Sequence, residues 1–269
     1  MSLLFFPFLG YSQARLRQQL AGKTVLITGA SYGIGESLAL RLADAGATLL
    51  LVARTAEKLG EVQQQIAARG GRAETFPCDL TQPGEVAALL AILQQRAGGV
   101  DIVVSNAGKS IRRSLFDSLD RLHDFTRTMN LNYVGPVQLL LGLIPTLAAR
   151  QGHIINISSI SVLLAPLPKW AAYLASKGAF DQWFRAVAPE LNARGVSTTT
   201  IYLPLVRTRM IAPTAAYRSM PAMEADEVAR LICRAIVARG RTYGPWWLMA
   251  GQLASVILRR PWESLTARR

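Results

Sequence analysis

From Lys23 onward the chain alternates short apolar runs with longer stretches of helical periodicity, and this alternation limits the fold more than any other feature. The runs are KTVLIT (23–28), ATLLLVA (47–53), AETFPC (73–78), VDIVVS (100–105), GHIINIS (152–158) and VSTTTIYL (196–203), with a shorter one near 240–244. Helical patterns fill the intervals, at 35–45, 55–69, 83–96, 117–149 and 171–193. Strands that are apolar throughout are buried on both faces, and a strand-helix-strand succession builds a parallel sheet. The expected fold is α/β, a doubly wound parallel sheet of six to seven strands with helices on both faces. A chain of 269 residues suits one such domain, and no linker, repeat or low-complexity block divides it. We place the domain at 21–245, after an apolar helical extension at 1–20 and before a Trp/Arg-rich tail helix at 246–269. Ligands of such sheets bind at the carboxyl ends of the strands, where strand order reverses, so the chemistry should follow the strands.

The first strand runs into TGASYGIGE, in which Thr28, Gly29, Ser31, Tyr32, Gly33, Ile34 and Gly35 lead into a helix. Glycines let the backbone approach a pyrophosphate, and the free N–H groups of the helix N-terminus face it. The spacing is TGxxxGxG, and in its strand-turn-helix setting it makes the sheet Rossmann-type and nucleotide-binding. The same letters spell GxSxG from Gly29 to Gly33, the nucleophile elbow of serine hydrolases. That chemistry needs a histidine late in the chain, whereas the histidines are His123 and His153. Two separated histidines and two separated cysteines, Cys78 and Cys233, form no metal-ligand set.

The second strand ends at Ala53, followed by Arg54 and Thr55, where NAD-binding sheets carry an acidic residue for the ribose hydroxyls. An uncharged strand end followed by a guanidinium fork suits a 2′-phosphate, so NADP(H) is expected. After the third strand, CDL offers Asp79 and Leu80 near the adenine. After the fourth, Asn106, Ala107 and Gly108 permit a close backbone approach. AAYLASKGAF (171–180) sets Tyr173 and Lys177 one helical turn apart. Alone, that pair reads as a solvated helix face or as a proton donor beside its tuning charge.

TGxxxGxG at 28–35, NAG at 106–108, the serine closing INISS and YxxxK at 173–177 occur in this order and in register with the strands. Over roughly 20–240 the chain resembles the short-chain dehydrogenase/reductase family. The resemblance implies that Tyr173 is the general acid/base. Lys177 would favour the phenolate and hold the nicotinamide ribose, Ser159 would bind the substrate oxygen, and Asn132 would support a water-linked proton path, with Asn130 as its alternative. It also implies that Pro204, Val206 and Thr208 line the nicotinamide. Two departures stand out. Ser159 and Tyr173 are fourteen residues apart, one more than the family's habit, so the loop between them should bulge and Ser158 or Ser161 could replace Ser159. Leu205 stands where the family has glycine, in LPLVRTRMIAPT.

That last segment is similar to fatty acyl-CoA reductases and other lipid-active members. It implies a long apolar substrate contacting Ser159, Ser161 and Leu163, with hydroxysteroid or 3-oxoacyl reduction as alternatives within the class and a non-catalytic NADPH sensor or scaffold outside it. The apolar loop 162–170 agrees with such a substrate, or packs as a lid. The family also implies a homodimer or homotetramer. Thirty basic residues against seventeen acidic give a net charge of +13, spread along the chain without a nucleic-acid-binding module. With two cysteines and no CxxC, a cytoplasmic location is expected. SLLFFPFLGY (2–11) is too short to span a membrane. It docks on the domain or dips into a membrane interface. GPWWLMAGQLASVILRRPW (244–262) reads as an interfacial helix, or as a last helix packed on the core or on a partner subunit.

Overall fold

The apolar runs pair side by side in a computed structural model that describes residues 2–267 apart from 8, 213, 215, 216 and 218. In chain order the elements are α1 (Ser2–Phe5), α2 (Gln13–Leu20), β1 (Thr24–Thr28), α3 (Gly33–Leu42), β2 (Thr48–Ala53), α4 (Ala56–Ala68), β3 (Arg72–Pro77), α5 (Pro83–Gln95), β4 (Ile102–Ser105), α6 (Leu122–Met129), α7 (Gly135–Ala149), β5 (His153–Ser159), α8 (Ala171–Ala193), β6 (Ser197–Leu203), β7 (Val206–Arg207), β8 (Met223–Glu224), α9 (Ala225–Ala238), β9 (Thr242–Tyr243), α10 (Leu248–Ile257) and α11 (Arg259–Ala267). Seven strands form one parallel sheet in the order β3-β2-β1-β4-β5-β6-β9. The short run near 240–244 supplies the seventh, pairing Thr242 and Tyr243 with Thr200 and Ile201. Strand order reverses between β1 and β4, which opens a crevice above their carboxyl ends.

Alternate residues of the buried strands serve two cores. Val25, Ile27, Leu49 and Leu51 pack under α2, α3, α4 and α9, joined by Leu16, Leu38, Ile66 and Ile232. Leu26, Leu50 and Val103 pack on the other face against α5, α7 and α8, through Leu93, Leu143 and Phe184. Burying a leucine or phenylalanine side chain contributes roughly 1.5–3 kcal/mol, so both layers hold the sheet.

The helical stretch expected at 117–149 is divided. A 3-10 turn at Phe116–Ser118 precedes α6, and a π-helical turn, Asn130–Val134, joins α6 to α7. The π turn adds a residue to the helical circuit and turns Asn132 inward, to full burial. Gly135 follows because a Cβ there would collide with the Leu80 carbonyl. Leu122–Ala149 is long and apolar enough to cross a membrane. Here Leu139, Leu140, Leu143 and Leu147 are buried in the second core.

The N-terminal extension takes the inward alternative. Ser12 caps α2 by accepting the Arg15 N–H, and Leu16 and Leu20 are fully buried. Phe5 and Phe6 are buried as well. The Phe5 carbonyl accepts the Trp246 N–H at 3.3 Å and the Leu4 carbonyl accepts Trp247 Nε1–H at 3.2 Å, so the extension holds the start of the tail. Met1, Phe8, Arg268 and Arg269 of these two segments lie outside the described residues.

Candidate active site

The glycine turn works through backbone geometry. Gly29 and Gly33 sit at φ +66° and +59°, a region that L side chains avoid, and a Cβ on Gly35 would collide with the Gly29 carbonyl oxygen. Thr28 is expected to touch cofactor, but it is buried behind the turn: its Oγ accepts the N–H groups of Asn106 and Ala107, each at 3.0 Å. Asn106 Nδ2 donates back to the Thr28 carbonyl at 2.9 Å. These bonds lash the end of β1 to the end of β4 at the point where strand order reverses. Ser31, Tyr32, Gly33 and Ile34 remain facing the crevice.

The crevice is a cavity of about 990 Å³ that reaches from Arg54 and Thr55 past Gly108 to Tyr173. Arg54, Lys109, Arg112, Lys177 and Arg209 line it, and none of its described lining residues is Asp or Glu. Burial, with repulsion from Arg127 and Arg54, holds the Lys109 ammonium below its ordinary pKa. A cationic cavity over glycine-rich backbone fits a phosphorylated dinucleotide. Asp79 departs from expectation. It stays off the cavity wall and spends Oδ1 on the Thr81 N–H at 2.9 Å, as an Asx turn, leaving Cys78 and Leu80 to line the wall. Pro204, Val206 and Thr208 also line the cavity. There Arg209 lies 4.2 Å over the Tyr32 ring, and Thr208 packs on Gly33. Leu205 keeps a negative φ, so no glycine is required at that position.

Ser159, Tyr173 and Lys177 meet at the inner end. Ser159 closes β5, and its Oγ lies 2.8 Å from that of Ser161. Burial raises the Tyr173 phenol pKa, and a hydrogen bond with Ser159 partly opposes that rise. Lys177 Nζ donates to the Ile157 carbonyl at 2.9 Å. Burial lowers its pKa to about 8, while Asp181 draws it up. Asn132 Oδ1 accepts the Lys109 N–H at 2.8 Å, and its Nδ2 donates to the Lys109 carbonyl and to Ser176 Oγ, each at 2.9 Å. Asn130 keeps to the helix, its carbonyl accepting the Gly135 N–H. Ser158 also departs from its fallback role, because its Oγ donates to Asp181 at 2.9 Å. Leu163 lies off the cavity wall, and Leu167 takes that place. The lengthened loop turns back at Lys169, whose φ of +73° is unusual for a side-chain-bearing residue.

Three residues escape sequence reasoning. Asp181 is buried two turns beyond Tyr173 and accepts from Ser158 and, at 3.3 Å, from Tyr202. The i+4 series Tyr173, Lys177, Asp181 was its available signal. Trp170 sets its ring edge to Tyr173, with 5.9 Å between centroids, and stacks on Tyr217 at 5.7 Å. Nothing local in the sequence pairs those two rings. The hydrolase alternative lacks its base: His153 lies at the amino end of β5, buried, with its pKa pushed down to about 3. Thr199 gives its hydroxyl proton to the Gly240 carbonyl, so neutral His153 donates to Thr199 from Nε2.

A family profile described as short chain dehydrogenase matches residues 23–218. The chain is 47% identical over 245 residues, 91% of it and 82% of the relative, to a fatty acyl-CoA reductase of Acinetobacter baylyi. It is 43% identical over 221 residues, 82% of it and 75% of the relative, to a fatty acyl-CoA reductase of Mycobacterium tuberculosis. It is similar in structure to a metagenomic short-chain oxidoreductase solved with NADP, with TM-score 0.71, 30% identity, and 83% of this chain and 95% of that one covered. A Sphingobium yanoikuyae short-chain dehydrogenase solved with NADPH gives TM-score 0.75 and 28% identity, over 82% of this chain and 87% of the other.

Proposed function

The chain belongs to the short-chain dehydrogenase family, and from that premise we propose that it reduces the carbonyl of a fatty acyl thioester, using NADPH. One observation carries this reading: Ser159, Tyr173 and Lys177 converge at the inner end of a cavity whose other end carries Arg54, with no carboxylate among the described lining residues. NADPH, when bound, supplies the hydride. Gly29, Gly33 and the α3 N-terminus would hold its phosphates, Gly108 would let it approach the backbone beside Lys177, and Arg54 would hold its 2′-phosphate.

The remaining chemistry belongs to the chain. Ser159 Oγ–H donates to the carbonyl oxygen as charge develops there, and Tyr173 Oη–H delivers the proton. Burial raises the phenol pKa, so Tyr173 holds a proton that it can donate. Lys177 keeps a positive charge behind it below about pH 8. Asn132 holds the Lys109 backbone and α8 together, which fixes the distance between the NAG turn and the YxxxK helix. With an acyl thioester, hydride at carbon and the Tyr173 proton at oxygen give a hemithioacetal. Its hydroxyl proton leaves as the C–S bond breaks and the departing sulfur is protonated, so an aldehyde and a thiol result, whereas a ketone ends as an alcohol.

The apolar wall of Leu167, Trp170, Leu174, Met210 and Met220 supports an acyl chain as substrate, as do the names of the two relatives. Two buried, unpaired cysteines suit a reducing cytoplasm. The exposed Ile92, Val134 and Leu141 support a homodimer or homotetramer. The test is NADPH oxidation across acyl-CoAs, aldehydes and ketones of graded length. Turnover rising with acyl-CoA chain length, with release of free thiol, is expected. Turnover confined to ketones transfers the assignment to the 3-oxoacyl or hydroxysteroid class. Arg54→Asp should cost on the order of 10- to 100-fold in preference for NADPH over NADH, from loss of a charge-assisted bond. An unchanged preference removes Arg54 from the 2′-phosphate site.

A further inference from the structure

We propose that the outward face of α10, together with the apolar turn at 115–122, docks on an anionic lipid bilayer and brings the mouth of the cavity to the membrane surface. The face is unusual for the exterior of a protein. Trp246, Met249, Leu253, Val256, Ile257 and Leu258 are each more than half exposed, and so are Leu115, Phe116, Leu119 and Leu122. The inner side of α10 is committed. Leu248 is buried, Ser255 Oγ accepts the Ala165 N–H at 3.0 Å, and a Cβ on Gly251 would stand 3.3 Å from Leu164.

Both apolar surfaces hang from one loop of the active site. Trp262 Nε1–H reaches the Pro166 carbonyl at 3.4 Å, and the Lys169 carbonyl accepts the Arg113 N–H at 2.8 Å. Pro166 and Lys169 are three residues apart, so these anchor points are separated by at most about 11 Å. Leu167 and Pro168, between them, line the cavity. An apolar molecule leaving a bilayer under these patches would reach the cavity without crossing water.

Charge selects the occupant. No Asp or Glu occurs from Gly244 to Trp262, and the apolar face ends in exposed Arg259 and Arg260, on a chain of net charge +13. Arg259 pairs with Glu263 at 2.8 Å, which leaves Arg260 for a phosphate headgroup. At the second turn Arg113 and Arg121 pair with buried Asp124, and Asp117 and Asp120 add negative charge, so selectivity for anionic lipid comes from the α10 end. Tryptophan with arginine at the edge of an apolar face suits the headgroup boundary, and each cation near an anionic surface contributes on the order of fivefold in partitioning. A second copy of the chain would bring the same +13 and the same arginines to the contact.

The docking deepens the acyl-substrate reading, and its test measures binding without turnover, so each can fail alone. Full-length protein is sedimented with vesicles of phosphatidylcholine, with and without phosphatidylglycerol. Binding to the anionic vesicles is expected, weakened by salt. Met249→Ser with Leu253→Ser and Val256→Ser should lose about tenfold or more, with NADPH binding intact. Arg260→Gln should lose the anionic preference and keep the residual binding to neutral vesicles. Quenching of wild-type tryptophan fluorescence by brominated lipid gives the same answer without any variant. No binding to anionic vesicles, no quenching, or a triple variant that binds as wild type overturns the proposal. So does a triple variant that converts a dimer to a monomer in size-exclusion chromatography, which assigns the face to a second copy.

Discussion

The two ends of the parallel sheet bury charge in opposite ways. At the amino ends, Asp101 is almost fully buried and receives three donors: the Thr24 N–H and Arg150 Nε at 2.9 Å, and Lys23 Nζ at 3.1 Å. Burial alone would raise its pKa, but the bonds from Arg150, Thr24 and Lys23 outweigh that and hold the carboxyl below its ordinary range. At the carboxyl ends, burial wins. Tyr173 is raised, Lys177 is lowered to about 8 and Asp181 is raised, although each has a partner. The amino end satisfies its charges and contributes to stability. The carboxyl end leaves them shifted by burial, the pattern that the proton-transfer roles proposed for Tyr173 and Lys177 require.

Three substitutions sharpen or break this contrast. The largest effect is expected from Tyr173→Phe. Losing a positioned general acid should cut kcat by about 10²- to 10⁴-fold, with NADPH affinity by fluorescence titration unchanged. Near-normal turnover would remove Tyr173 from the reaction.

Next is Asp101→Asn, which removes the carboxylate that three donors address. It should cost about 2–3 kcal/mol in urea denaturation and leave kcat of the folded enzyme intact. Because the folded pKa of Asp101 is depressed, its contribution is present above the unfolded value of about 4 and is lost as pH falls through the folded one. The stability gap between wild type and variant should therefore close in acid. A gap that persists there, or a fall in kcat, would erase the division of labour between the two ends.

The smallest effect belongs to Asp181→Asn. Asp181 draws the Lys177 pKa up, so kcat/KM for reduction, expected to decline above about pH 8 as Lys177 loses its charge, should begin to decline at lower pH in the variant. An alkaline limb that does not move would reduce Asp181 to a structural partner of Ser158 and Tyr202.

What could be read in advance follows the range of the interaction. The strands were legible because burial on both faces leaves continuous apolar runs, and 171–193 matched α8 from end to end. Tyr173 and Lys177 were legible because four residues is one turn of a single helix. Thr28 and Asp79 stand at strand ends where cofactor contacts are expected, yet their side chains serve backbone N–H groups, at Asn106 and Ala107 and at Thr81. Choosing between those uses needs the position of the next strand end. The π turn at Asn130–Val134 was hidden because it carries α6 on into α7 and differs from a regular helix by a single added residue.

By itself, then, the sequence determined the doubly wound sheet, the glycine turn and the tyrosine-lysine pair, each encoded by periods of two to four residues along one segment. Only the tertiary structure decided that Asp181 faces Ser158 and Tyr202, that Trp170 meets Tyr217, and that Leu4 and Phe5 hold Trp246 and Trp247. These partners lie up to 243 residues apart. Contacts at that distance leave no local periodicity, because they depend on where the folded core brings separate segments together.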